Sequence, residues 1–356
     1  MLDATLRFTP DVLKDFVGRL LVAAGAPEDD ADIVAASLVE SNLRGYDSHG
    51  VFLARWYLSQ IKNGELVPGA PLEVLSETTA ILAADGRLNF GQVQCGRLVD
   101  RVSEKARQSG IACGTLVRSG HVGRLGEWVE RAANARLAAL IAVNDNGVAR
   151  TVAPPGGTIA MISTNPVAIG VPTGSAPFIL DISTSAVANG KLRIARLEGR
   201  QVPWGWVQDA EGNPTTDPNV MLADPPGALL PFGGDQAYKG FGLGLVLDIL
   251  TAGLAGGLCP PAPDGTQEWN NVLLVVWDPA RFAGVAHLAG QADKLIAAVR
   301  ATPRKRGVDR VQLPGDRSTE VRKKRLAEGI PLAPDVWEQL THVGRRLGVS
   351  EPSSGA

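Results

Sequence analysis

The chain has 356 residues, of which 45% are hydrophobic and 20% charged, a composition typical of folded globular proteins and not of small disulfide-rich ones. Because 35 Lys and Arg residues are balanced by 37 Asp and Glu residues, no overall charge favours binding to nucleic acid or to an acidic membrane surface. The 3 cysteines lack CxxC spacing and indicate neither a zinc site nor an oxidising compartment, so we expect them to be small buried residues. Asp3, Asp11 and Asp15 interrupt every apolar stretch near the N-terminus, which argues against a signal peptide and favours a cytoplasmic protein.

The first 75 residues are predicted to be helical. Pro10 suits the first position of a helix, and the apolar residues that follow recur at helical spacing and form one buried face. A second helix is predicted over 28–44, with acidic residues in its first turn and a basic last turn. A third is predicted over 51–61, with Asp47 or Ser48 as its N-cap.

From residue 78 onwards the pattern changes to an alternation of strands and helices. Strands are predicted over 80–84, 111–117, 138–143 and 178–182, and helices over 91–109, 124–136 and 185–197. Such an alternation indicates an α/β architecture. From about residue 294 the chain is again helical and charged.

Three further segments give simple expectations. The apolar run 240–258 contains Asp248 and several glycines, so we expect a buried helix of a soluble protein and no membrane span. The basic run 322–325 has acidic neighbours, which favours a solvated helix face over a nucleic-acid patch. The polar tail 351–356 is expected to be disordered.

Two of the 4 histidines lie in glycine-flanked loops and are candidates for proton transfer near neutral pH. One is His49, in Asp47-Ser48-His49-Gly50, and the other is His121, in the loop between a predicted strand and a predicted helix. Simpler explanations stay open for both, because Asp and Ser are common cap residues and a strand-to-helix turn commonly needs glycine. The sequence contains no G-x-S-x-G motif and no metal-ligand spacing.

The sequence lacks an ordinary dinucleotide fingerprint. Gly240-Phe241-Gly242-Leu243-Gly244 comes close, but Leu245 occupies the position of the third glycine and no apolar strand precedes it. Lys239, just before this segment, offers a cation to a phosphate. The loop around Thr164, between predicted strands, and the loop around Ser183, at the end of a predicted strand, offer hydroxyls either for a ligand or as plain helix caps.

Taken in order, these loops resemble the second type of malate/L-lactate dehydrogenase, a family that also includes ureidoglycolate, sulfolactate and diketogulonate oxidoreductases and cyclic imino-acid reductases. The resemblance extends from about residue 8 to residue 332. Its motifs are Leu43-Arg44-Gly45-Tyr46-Asp47-Ser48-His49-Gly50-Val51, Ser119-Gly120-His121, Ala153-Pro154-Pro155-Gly156-Gly157, Thr164-Asn165-Pro166, Leu180-Asp181-Ile182-Ser183-Thr184-Ser185 with Gly190-Lys191, Pro203-Trp204-Gly205-Trp206, Pro214-Thr215-Thr216-Asp217-Pro218, Tyr238-Lys239-Gly240-Phe241-Gly242-Leu243 and Pro314-Gly315-Asp316.

The resemblance implies an α/β, non-Rossmann fold of the malate/L-lactate dehydrogenase type. In it a helical domain, 1–75, is joined by C-terminal helices, 295–350, and stands apart from an α/β nicotinamide-binding and substrate domain, 76–294. It also implies hydride transfer between NAD or NADP and a small 2-oxo or 2-hydroxy acid, in a homodimer. An imino-acid reductase and a non-catalytic binding or scaffold protein are the alternatives.

The resemblance also implies roles for individual residues. His49, His121 and the neighbouring Ser48 match the catalytic motif, and one imidazole is expected to donate the proton. Residues that match segments holding the cofactor are Asp181, Ser183, Thr184, Ser185, Lys239, Gly315 and Asp316. Thr164 and Asn165 are expected to shape the pocket around nicotinamide and substrate.

The chain departs from the family pattern at three positions. The arginine that often grips the substrate carboxylate four residues after the first histidine is replaced by Leu53, which makes Arg44, Arg55 and Arg124 the candidate substitutes. Asp145 adds an anion where the ribose next to nicotinamide is expected. Asp316 stands where the family often has glutamate.

Overall fold

The computed structural model describes residues 6–352; residues 353–356 of the predicted polar tail lie outside this range. The helices are α1 (Pro10–Ala23), α2 (Glu28–Leu43), α3 (Ala54–Asn63), α4 (Gly91–Ser109), α5 (Leu125–Asn134), α6 (Asn189–Leu197), α7 (Tyr238–Ala255), α8 (Val285–Arg300), α9 (Asp316–Glu328) and α10 (Pro334–Arg346). The strands are β1 (Leu6–Phe8), β2 (Glu73–Glu77), β3 (Ile81–Asp85), β4 (Ile111–Ser119), β5 (Ala138–Asn144), β6 (Val167–Val171), β7 (Phe178–Ile182), β8 (Val207–Gln208), β9 (Pro214–Thr215), β10 (Ala228–Leu229), β11 (Asn270–Trp277) and β12 (Ile330–Leu332).

The two ends of the chain pack around a common helical core. Strand β1 pairs antiparallel with β12, and the ring of Phe8 lies 4.2 Å from that of Trp337 on α10. The buried faces of α1 and α2 complete this core. Phe90 and Val93 at the start of α4 also pack into it, so the helical core reaches beyond the segments that we assigned to the helical domain. The division into two domains stays a prediction.

A seven-stranded mixed sheet forms the centre of the α/β region, in the order β2-β3-β4-β11-β5-β6-β7. Only β3 and β4 pair in parallel within it, and the other neighbours are antiparallel. Helices α4 and α5 cover one face with a buried apolar cluster that includes Leu98 and Trp128. An open parallel sheet of the dinucleotide-binding type is therefore absent from the described residues, which agrees with the missing glycine fingerprint.

Helix α7 meets the expectation of a buried helix on one side only. One side is closely packed: a Cβ at Gly244 would lie 2.6 Å from Thr184 Oγ1. The other side exposes the apolar residues Leu245, Val246, Ile249, Leu250 and Leu254. Among the helices of residues 6–352, α7 alone is long and apolar enough to span a membrane. Asp248 at its centre is nevertheless 2% exposed and accepts hydrogen bonds from two side chains of the sheet region, as a helix of a folded globular domain would.

Several smaller expectations also need correction. Helix α3 begins at Ala54, after two 3-10 turns, and α6 begins at Asn189 and not at residue 185. Cys259 is exposed and Cys113 only partly buried, so only Cys95 is the small buried residue that we expected.

Candidate active site

The side chains of His49 and His121 lie next to each other within the chain. Their rings are nearly parallel, with an angle of 29° and centroids 5.6 Å apart. His49 ends a 3-10 turn after α2, and His121 lies in the loop between β4 and α5. Two chain segments far apart in the sequence therefore contribute imidazoles to one site.

The turn that carries His49 is held by the side chain of Asn42. Its amide donates to Asp47 Oδ1 over 2.6 Å, and its carbonyl oxygen accepts from Val51 N over 2.8 Å. Ser48 Oγ lies 3.0 Å from His49 Nδ1. The prediction that Asp47 or Ser48 caps α3 is wrong, because both side chains are engaged inside the turn and Leu53 precedes the helix without a side-chain cap.

Side chains of helix α9 contact the turn that carries His49 and the end of α2 that precedes it. Arg325 forms a two-pronged ion pair with Asp47, with Nη1–Oδ1 and Nη2–Oδ2 distances of 2.6 and 2.9 Å. It also donates to the backbone carbonyl of Asn42. One helical turn earlier, Arg322 Nε donates to Glu40 over 2.8 Å. The basic run is therefore not simply a solvated face, since two of its four residues join α9 to the segment that leads to His49.

The loop of His121 is fixed by close contacts with α4 and α3. A Cβ at Gly91 would lie 2.2 Å from the carbonyl oxygen of Gly120, so only glycine permits this approach. His121 Nδ1 lies 2.8 Å from the hydroxyl of Tyr57, which also accepts a hydrogen bond from Gln92 Nε2 over 2.9 Å. Tyr57 and Gln92 are both buried.

Both imidazoles are neutral near pH 7. Burial, with a smaller effect from the charge of Arg124, lowers the pKa of His49 to about 4. Burial, with a smaller effect from His49, lowers the pKa of His121 to about 3. Burial therefore disfavours the imidazolium form of both rings, and a neighbouring group, Arg124 for His49 and His49 for His121, adds to the effect.

The carboxyl group of Glu268 lies near His121, and its charge acts in turn on Asp145. A small cavity of about 20 Å³ is lined by His121, Trp56 and Glu268, among other residues. Burial raises the pKa of Glu268. Burial, together with the charges of Glu268 and Asp248, raises the pKa of Asp145 to about 6, although a hydrogen bond with Ser163 opposes the shift.

The three candidate arginines are placed very differently. Arg124 is buried, its Nη2 atom lies 3.4 Å from Glu130, and its Nε atom has no hydrogen-bond partner among the described residues. Arg44 is already paired with Glu40 and Glu130, at 2.6 and 2.8 Å. Arg55 is exposed and lines a groove with residues of α10, not the cavity that His121 lines. The structure thus leaves Arg124 as the candidate guanidinium that is both buried near His49 and only weakly engaged.

The cofactor candidates Thr184, Ser185 and Asp181 bind the protein itself. Thr184 Oγ1 donates to the carbonyl of Thr164 over 3.0 Å, and Ser185 Oγ donates to the carbonyl of Val187 over 2.8 Å. Asp181 Oδ2 accepts from the backbone N of Gly126 over 2.8 Å, at the start of α5. These contacts correspond to loop and helix-end stabilisation, so a cofactor role for these three groups stays a prediction without geometric support.

The other cofactor candidates differ in whether their polar groups already form hydrogen bonds or ion pairs within the protein. Asp316 accepts from Arg300 and from Leu313 N, over 2.7 and 2.9 Å, while Gly315 has a φ of +88° at the start of α9. Ser183 Oγ donates to the carbonyl of Ser185 over 3.3 Å. Lys239 is exposed in the first turn of α7 and makes no ion pair with an acidic side chain of residues 6–352.

A nicotinamide group would match one unsatisfied atom of the site. Asn165 is buried, and its amide nitrogen donates to Asp248 Oδ2 and to the carbonyl of Gly244. Its Oδ1 atom is buried without a partner among the described residues. Such an acceptor suits the NH₂ of a carboxamide, and the exposed cation of Lys239 at a helix N-terminus suits a phosphate. An acceptor for a carboxamide and a cation for a phosphate, both beside α7, are groups that would hold a nicotinamide dinucleotide.

Tyr57, Gln92 and Glu268 were missed by the sequence analysis. Tyr57 occupies an apolar position of a helix, where an aromatic residue normally indicates only the core. Gln92 and Glu268 belong to no recognisable motif. No local pattern could have indicated them, since only the tertiary fold brings them to His121.

Comparison with known proteins identifies relatives over more than nine tenths of the chain. The family model described as malate/L-lactate dehydrogenase matches residues 8–341. The chain is 35% identical over 339 residues to the L-lactate dehydrogenase of Cupriavidus necator, covering 94% of this chain and 96% of that protein. It is 34% identical to a Delta(1)-pyrroline-2-carboxylate/Delta(1)-piperideine-2-carboxylate reductase of Pseudomonas syringae pv. tomato, covering 92% and 93%. The structure of the malate dehydrogenase of Pyrococcus horikoshii superposes with a TM-score of 0.88 at 30% identity, covering 98% of this chain and 97% of that one.

Proposed function

The chain belongs to the malate/L-lactate dehydrogenase family and is an oxidoreductase, and from this membership we propose that it transfers a hydride between NAD or NADP and a small 2-oxo or 2-hydroxy acid. The observation that carries the proposal is the pair of imidazoles, 5.6 Å apart, beside a buried arginine without a partner for Nε. This combination offers a proton-transfer group and a carboxylate-binding group in one place.

The residues divide the reaction between them as follows. In the reductive direction the hydride comes from the nicotinamide cofactor when it is bound. His121 binds the substrate oxygen. The charge of the bound carboxylate favours protonation of the ring, which takes up a proton from solvent, passes it to the developing alkoxide and returns to the neutral form. His49 and Arg124 bind the carboxylate, and Arg124 replaces the arginine that Leu53 has displaced. Asn165 would hold the carboxamide and Lys239 a phosphate of the cofactor.

An imino-acid reductase is the second candidate, and the carboxyl group of Glu268 near His121 favours it. Glu268 lines the same cavity as His121, and Asp145 interacts with Glu268. Carboxylates at this position would stabilise a protonated C=N group. The similarity to the Pseudomonas syringae reductase agrees with this candidate.

We also propose that the protein is a cytoplasmic homodimer. The exposed apolar side of α7 is a contiguous surface of the kind that a second copy would cover. Val246→Asp places a charge at its centre, with Val67→Asp as a control at an exposed site outside α7. Light scattering after size-exclusion chromatography is expected to show a dimer for the wild type and for the control, and a monomer for Val246→Asp. A monomeric wild type would contradict the proposal.

The substrate class is tested by following the loss of NADH or NADPH absorbance with a panel of 2-oxo acids and cyclic imino acids. We expect oxidation of one of the two cofactors with at least one 2-oxo acid. Turnover restricted to imino acids would support the second candidate. Cofactor binding without turnover on any carbonyl or imine would contradict both and favour a non-catalytic protein.

A further inference from the structure

The hydroxyl of Tyr57 connects His121 to the buried amide of Gln92. Its oxygen is 2.9 Å from Gln92 Nε2 and 2.8 Å from His121 Nδ1. The tyrosine is 1% exposed, and its ring packs edge-on against Phe90 with a centroid distance of 6.1 Å. The position of this hydroxyl is thus fixed by α3 and α4.

The direction of the two hydrogen bonds follows from the chemistry of the three groups. An amide NH₂ only donates, so the bond from Gln92 uses Tyr57 as the acceptor. Burial, with the charge of Glu127, raises the pKa of Tyr57, which therefore keeps its single proton. That proton has one remaining partner, His121 Nδ1, which must then accept it. A neutral imidazole whose Nδ1 accepts carries its own proton on Nε2.

We propose that Tyr57 and Gln92 are positioning residues that hold neutral His121 as the Nε2–H tautomer, so that the nitrogen left free for a ligand is a hydrogen-bond donor. The position of the ring proton is a property of the free protein and does not depend on the proposed function. Its consequence for substrate choice does rest on that function. A donor at Nε2 can bind the oxygen of a 2-oxo acid, which is an acceptor. It cannot form a hydrogen bond with the N–H of a protonated imine, which is also a donor.

Two substitutions change the hydrogen bonds that the hydroxyl of Tyr57 forms with Gln92 and His121. Tyr57→Phe removes only the hydroxyl and retains the packed ring. Gln92→Glu replaces a donor by an acceptor of nearly the same shape. With the introduced carboxylate ionised, the hydroxyl of Tyr57 donates to it instead, and the hydroxyl oxygen accepts from His121, which moves the ring proton to Nδ1.

The test is ¹⁵N NMR of the free protein labelled at histidine, in which the shifts and proton couplings of the two ring nitrogens distinguish the tautomers. His121→Ala assigns the signal, and His287 and His342 are internal controls whose signals should not change. We expect the Nε2–H pattern in the wild type, its loss in Tyr57→Phe and the Nδ1–H pattern in Gln92→Glu. Because the bond to Nδ1 stabilises the neutral ring, Tyr57→Phe should also raise the pKa of His121.

Activity provides the second measurement. With the ring proton on Nδ1, Gln92→Glu should lose about 10²-fold or more in kcat/KM for a 2-oxo acid, the scale of acid–base catalysis. An Nδ1–H pattern in the wild type, or the same tautomer in all three proteins, would overturn the proposal whatever the activity. An Nε2–H pattern in a wild-type protein that oxidises neither NADH nor NADPH would leave the tautomer assignment intact and contradict the proposed function.

Discussion

Asp145 allows a quantitative test of the site's electrostatics. Its pKa is raised from 3.8 to about 6, chiefly by burial and also by the charges of Glu268 and Asp248. The folded protein thus binds a proton at Asp145 more tightly than the unfolded chain, and the stability contributed by the protonated group is lost as the pH rises from 3.8 through 6. At about 1.4 kcal/mol per pH unit, the full cost of the ionised side chain above pH 6 is about 3 kcal/mol.

Asp145→Asn removes this cost with little change in shape. In urea unfolding we expect the variant to be more stable than the wild type by about 3 kcal/mol at pH 8 and by about 1.5 kcal/mol at pH 5. Asp235→Asn, at an exposed site, is the matched control and should change the stability by less than about 0.5 kcal/mol. Equal stability differences at the two pH values would refute the assigned burial and charge proximity of Asp145.

Three further outcomes are expected. Unfolding of Asp47→Asn, Arg325→Gln and the double variant gives the coupling energy between Asp47 and Arg325. We expect about 1–2 kcal/mol, because the pair is only partly exposed. Zero coupling would mean that α9 does not hold the turn. Arg124→Met should raise KM for a 2-oxo acid by about 10-fold or more with Arg124→Lys intermediate, whereas an unchanged KM would place the carboxylate elsewhere. The wild type should lose stability as the pH falls from 6.5 towards 4, because the histidines of the unfolded chain bind protons in this range while those of the folded protein stay neutral. His49→Gln and His121→Gln should each weaken this dependence of stability on pH. An unchanged dependence in both variants would contradict the pKa values.

The sequence predicted elements whose signals are local. Pro10 starts α1 as expected, where the side chain of Thr9 accepts from Val12 N, and α2 and α4 lie close to their predicted bounds. Apolar spacing and cap residues are sufficient for such helices, because most of the relevant contacts are made within a few residues.

Elements that depend on distant partners were not predicted. Strand β11 lies at the centre of the sheet, between β4 and β5, although it follows them by more than a hundred residues along the chain. Strand β2 is exposed throughout and lacks the alternation that marks a half-buried strand. Helix α7 is apolar on both sides, so its hydrophobic pattern cannot distinguish the packed side from the exposed one.

The candidate site was only partly predictable for the same reason. Resemblance to the family identified both histidines, but the convergence of their rings is a property of the fold. The partners of the site come from other segments: Arg325 reaches Asp47 from α9, and Tyr57 reaches His121 from α3. A basic run and an apolar helix position gave no indication of either contact.

The central claim is that His49 and His121 act on one substrate in one site. It is tested most directly by the steady-state reduction of a 2-oxo acid by the wild type, His49→Ala, His121→Ala and the double variant. If both imidazoles serve the same step, each single variant should lose about 10²-fold or more in kcat/KM, and the double variant should lose little more than the more impaired single variant. Wild-type rates in both single variants would contradict the claim.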